Sequence, residues 1–144
     1  MVENVDYPRD LRIEENMAEE YERLVSRSSS PFHGAEKSDI FLLAAAVGWH
    51  SRRRQSIENR YVLVNRSALS EREQWILKSI AIADYDDAEI LRNGRETIHI
   101  AEQYANGGIH EIRELRQGPE DLIRSLTDRM IKVKANDELM WDGL

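Results

Sequence analysis

There is no cysteine in the 144 residues. Disulfides, thiol nucleophiles and cysteine-ligated zinc or iron–sulfur centres are therefore excluded, and the composition fits a reducing cytoplasm. Long hydrophobic runs are missing too. The longest, residues 40–47, falls far short of the roughly 20 residues that cross a bilayer, so no membrane partner is expected. The opening MVENVDYPRD is acidic and polar and does not read as a signal peptide. No glycine-rich phosphate loop follows a strand. The serines at 28–30 lack the strand–turn–helix setting of an activated nucleophile. Nor is the chain coated in positive charge, since its net charge is -7. No internal repeat or domain boundary is evident.

What is present is mainly α. Length and ordinary hydrophobic content predict one compact multi-helix domain over residues 1–133, with residues 1–12 as an N-terminal arm and 134–144 as an acidic C-terminal tail. The stretch Asp39-Ile-Phe-Leu-Leu-Ala-Ala-Ala-Val-Gly48 is apolar on every face. It predicts a central helix over Ser38–Val47 that the others cover, with Leu42, Leu43, Ala45 and Ala46 buried. Ser38 is its expected N-cap, and Gly48 its expected left-handed C-terminal stop. An amphipathic stripe predicts a helix over Glu14–Val25, closed by the serine-rich linker that ends at Pro31. Tyr61–Val64 predicts a short β segment. Ser70 and Glu73 form a capping-box pattern, opening a helix through Ala83. A short helix follows over Ala88–Arg92, capped by Asp86 or Asp87. Helices are then predicted at Glu96–Ala105 and from Ile109, separated by a break at Asn106-Gly107-Gly108. After Gly118-Pro119 comes a last helix through Val133, with Leu122, Ile123 and Leu126 on its stripe.

Charge is unevenly spread. Trp49 to Arg66 holds five arginines against one acid, Glu58, so this segment is +4 and the remainder -11. Arg52, Arg53 and Arg54, with Lys37, Arg60 and Arg66, are of the type that contacts phosphates, and Trp49, His50 and Tyr61 add stacking surfaces. These residues are the candidate nucleic-acid or partner-binding site. The competing reading is that the arginines pair with the chain's own surplus carboxylates. Glu96, His99 and Glu102 share one helix at metal-ligand spacing, but a di-metal carboxylate site needs a second such pattern and two more acids. They are expected to form a solvated face and to bind no metal. Asp84, Asp86 and Asp87 read as helix caps. A metal-dependent nuclease would also need a positioned lysine on a strand, and none is present, so no catalytic residues and no cofactor are assigned.

Two stretches carry a resemblance. One is Asp39–Gly48 with the basic loop after it. The other is Leu77-Lys-Ser-Ile-Ala-Ile-Ala83, then Glu89-Ile-Leu91, then Ile100-Ala-Glu-Gln-Tyr-Ala-Asn-Gly-Gly-Ile109. In order and spacing they resemble the small Dnd-system-associated proteins, encoded beside genes for DNA phosphorothioation and its linked restriction. The resemblance runs from about Glu14 to Met130. It implies an accessory or interaction subunit of a phosphorothioate-DNA-linked antiphage defence, with other proteins of that system as partners and oligomerisation left open. The alternative is a module that contacts double-stranded DNA through Arg52–Arg54, and a nuclease-like enzyme is third. The family offers no catalytic set to carry over.

Overall fold

Polar side chains placed just ahead of apolar stretches set the helix starts. In the computed structural model, which describes residues 5–118 and 121–129, the order is β1 (Asp10–Glu14), α1 (Ala18–Ser26), α2 (Lys37–His50), β2 (Arg60–Asn65), α3 (Glu71–Tyr85) and α4 (Gly94–Gln117). Residues 122–129 are helical again. The mainly α class follows the expectation from sequence, and the expected short β segment Tyr61–Val64 lies within β2. Ser70 caps α3 as its pattern predicts, accepting from the Glu73 amide at 3.1 Å while Glu73 accepts from the Ser70 amide at 2.9 Å. Asp87 caps the 3-10 turn Ala88–Arg92 by accepting from the Glu89 amide. The cap of α2 is Glu36, not Ser38. Its amide donates to Asp39 at 3.0 Å, and Ser38 lies buried in the first turn.

The N-terminal segment departs from the expected arm and helix. Asp10–Glu14 is a strand, antiparallel to β2, and helix begins only at the 3-10 turn Glu15–Met17. Leu11 and Ile13 point into the core while Arg12 points out, the period-2 alternation of a half-buried strand. The register shifts between Leu11 and Arg12, where Leu11 faces Val64 and Arg12 faces Val62. Such a bulge re-aims the backbone locally.

The larger correction concerns glycine. Gly48 does not stop α2, and Asn106-Gly107-Gly108 does not break α4, which runs as one helix of 24 residues. A Cβ on Gly48 would lie 1.9 Å from the Tyr104 carbonyl oxygen, one on Gly108 1.7 Å from that of Ala44, and one on Gly107 1.8 Å from that of Arg53. These glycines are where the α2 and α4 backbones and the loop after α2 touch. A glycine inside a helix costs roughly 1 kcal/mol relative to alanine, and close packing of the two helices offsets it.

The core gathers Phe41, Ala44 and Ala45 of α2 with Tyr21 and Leu24 of α1, Leu77 of α3, and Ala101, Ala105, Ile109 and Ile112 of α4. The central helix is not covered on all sides. Ala45 is buried as expected, but Leu42 and Leu43 are half-buried and Ala46 is exposed. The long partner α4 covers one face. Leu43, Ala46, Val47 and His50 instead border a groove of about 100 Å³ with Leu126. The expected acidic tail, 134–144, lies outside the described residues, as does the end of the last predicted helix.

Candidate functional site

The loop after α2 is basic in sequence and tightly strapped in space. Arg52 takes a left-handed backbone, φ 54°, which turns the chain back across α4. Its guanidinium lies 3.8 Å over the Trp49 ring and donates to the Trp49 carbonyl. Trp49 in turn meets Tyr104 edge-on, ring centres 5.3 Å apart. Backbone bonds fix the path: the Arg53 amide donates to Gly48 at 2.8 Å and that of Gln55 to Gln103 at 3.1 Å. The buried Asn106 side chain donates to the carbonyls of Gln55 and Ser56. Glu14 closes the far end by accepting from the amides of Glu58 and Asn59.

Two of the three consecutive arginines form ion pairs within the molecule. Arg53 forms a bidentate pair with Glu114 at 2.9 and 3.0 Å, and this holds the Glu114 carboxyl below its usual range. Arg54 donates to Asp84 at 2.7 Å and to Gln103 at 2.5 Å. Asp84 also accepts the Tyr104 hydroxyl at 2.5 Å. Burial and that acceptor together raise the Tyr104 phenol to about 12. Lys37 pairs with Glu22 at 2.8 Å. Arg66 donates to the Pro8 carbonyl and to Gln74, both at 2.7 Å, and so latches the N-terminal segment to α3. His50 sits apart at the apolar groove, and Tyr61 is exposed on β2.

Arg60 lies elsewhere. It borders a cavity of about 750 Å³ between the segment before β1 and the start of α4. The wall also holds Arg12, Arg95, Glu96, His99 and Glu102. The expected solvated face of Glu96, His99 and Glu102 is only partly exposed: Glu96 and His99 are half-buried, and Glu102 is buried at 8% exposure. β1 packs against α4 here, and the Arg12 amide donates to Glu102 at 2.6 Å. Burial raises the Glu102 carboxyl to about 7, against the pull of that bond and of the Arg12 and Arg60 charges. Burial also depresses His99, with Arg60 adding to the effect. Among the described residues no cluster of three histidine or acidic side chains is arranged to hold a metal ion, and no helix is long and apolar enough to cross a membrane.

Sequence reasoning missed Arg12 and Arg95 at this cavity. The signal for Arg12 was the alternation Leu11-Arg12-Ile13, which becomes informative once the segment is read as a strand.

A family model described as DNA sulphur modification system-associated protein 4 matches residues 11–140. This agrees with the resemblance read over Glu14–Met130. No curated protein and no solved structure matches the chain.

Proposed function

Because the chain belongs to the family of DNA sulphur modification system-associated protein 4, we propose that it is a non-catalytic accessory subunit of a phosphorothioate-DNA-linked restriction and antiphage system, joining other proteins of that system. The observation that carries the interaction reading over duplex binding is the pairing of Arg53 with Glu114 and of Arg54 with Asp84. To reach DNA phosphates these side chains must first release their own carboxylates, which would then face the polyanion. The net charge of -7 opposes duplex DNA as well. A protein partner is better served. Tyr61 and Val62 on β2 and Trp75, Ile76 and Tyr85 on α3 are exposed, and exposed large apolar side chains suit partner contact.

The test is co-expression with each of the other proteins of the same system, followed by size-exclusion chromatography. A stoichiometric complex with one of them is expected, and failure with every one of them removes the reading. The second reading is duplex contact through Arg52, Arg53 and Arg54, with Lys37, Trp49, His50, Arg60 and Arg66 around them. It is favoured by Arg52, which has no ion-pair partner among the described residues. Three phosphate contacts would give a salt slope of about -2.7, from roughly 0.9 per phosphate, and a triple Arg→Ala change would flatten it. Such a slope at low salt, on plain or phosphorothioated duplex, would replace the first reading with the second.

A further inference from the structure

We propose that the cavity between residues 6–12 and the first turns of α4 binds a phosphate monoester of mononucleotide size, with the phosphate held by the guanidiniums of Arg12, Arg60 and Arg95. This is independent of which protein the chain joins.

Three observations converge. The first is the state of the arginines. Those of the basic loop are largely spent on internal partners, whereas Arg12, Arg60 and Arg95 have no hydrogen bond or ion pair from their side chains among the described residues, although all three border one cavity. They come from three separate elements: β1, the start of β2 and the first turn of α4. Guanidiniums supplied to one cavity by separate elements can grip a tetrahedral oxyanion by several charge-assisted bonds. Arg95 also stands at the positive end of a long helix, which favours an anion there.

The second observation is how the acids on the same wall are handled. Asp10 is taken by Arg9 at 3.3 Å. Glu102 is buried and tied to the Arg12 amide, and its raised carboxyl sheds much of its repulsion near neutral pH. Asp6 and Glu96 remain at the wall. A bare phosphate would leave these two facing an anion. A nucleotide, by contrast, presents hydroxyl and amino donors at a distance from its phosphate, and carboxylates accept from such groups.

The third is size. A volume of about 750 Å³ falls within the roughly 300–1,000 Å³ of small-molecule sites. It would seat a mononucleotide, while the net charge of -7 would oppose a long strand laid across the surface. The monoester can come from a free nucleotide or from the 5′ end of a DNA strand.

The experiment is calorimetric titration of the full chain at low salt with adenosine 5′-monophosphate, with adenosine, and with short single strands carrying either a 5′-phosphate or a 5′-hydroxyl. Expected is saturable 1:1 binding of the monophosphate and none of adenosine. Arg60→Gln and Arg95→Gln should each weaken binding roughly tenfold or more, the effect of one lost charge-assisted hydrogen bond. Arg124→Gln, exposed on the helix of residues 122–129 and outside the cavity, should leave it unchanged. All three arginines are exposed, so these variants should fold, as a melting curve will check. Binding of the 5′-phosphorylated strand as tight as the monophosphate identifies the strand end as a source. Much weaker binding of that strand identifies the free nucleotide, and either result supports the site. The proposal is overturned if neither phosphorylated ligand binds, if the 5′-hydroxyl strand binds as well as the phosphorylated one, or if the Arg60→Gln/Arg95→Gln double variant binds as tightly as the parent.

Discussion

Glu102→Gln should stabilise the protein, and the gain should depend on pH. The carboxyl sits on α4 at 8% exposure, and burial lifts it from an ordinary 4.5 to about 7. Below about pH 4.5 the group is protonated in both the folded and the unfolded chain, and folding carries no penalty from it. Between about 4.5 and 7 the unfolded chain releases the proton while the fold retains it, so stability falls as pH rises. Above about 7 the fold holds a buried charge and the penalty is complete. At 1.36 kcal/mol per pH unit, the interval corresponds to about 3 kcal/mol. Glutamine keeps the shape, and its carbonyl can still accept from the Arg12 amide. The variant should therefore match the parent at pH 4 and exceed it by up to about 3 kcal/mol at pH 8. That amounts to a Tm rise of roughly 6–12 °C for a chain of this size. Urea denaturation followed by circular dichroism at pH 4, 6 and 8 measures it. A gain that is the same at all three values, or a loss at pH 8, would refute the reasoning. A loss would mean that Arg12 and Arg60 outweigh burial and keep the carboxylate charged.

Two further outcomes test the packing. Gly108→Ala should destabilise by roughly 2–3 kcal/mol, because the new methyl would overlap the Ala44 carbonyl, despite alanine's better helix propensity; a stabilised variant in the same urea assay would show that α2 and α4 do not cross there. Arg116→Ala should cost roughly 3 kcal/mol by stranding the buried Glu20, which it grips at 2.7 Å with two nitrogens. Arg53→Ala, whose partner Glu114 is largely exposed, should cost no more than about 1 kcal/mol. Equal costs for the two would contradict the burial described for their partners.

Local chemistry was legible in the sequence wherever one segment decides its own structure. The Ser70–Glu73 box, the Asp87 cap and the extended Tyr61–Val64 needed only neighbours within a few residues. The family was legible too, through the spacing of Asp39–Gly48 and Ile100–Ile109. Tertiary structure alone decided the rest. A glycine reads locally as a helix stop, and at Gly48, Gly107 and Gly108 only the approach of a second backbone shows that the missing Cβ serves contact. A run of arginines reads as a cationic surface until folding brings Glu114 and Asp84 to it. Arg12, Arg60 and Arg95 are far apart in the chain and form one wall only because β1 pairs with β2 beside α4. Partners so distant in sequence leave no local pattern, so the chain shows which residues carry charge, and the fold determines which of those charges are already neutralised by a partner.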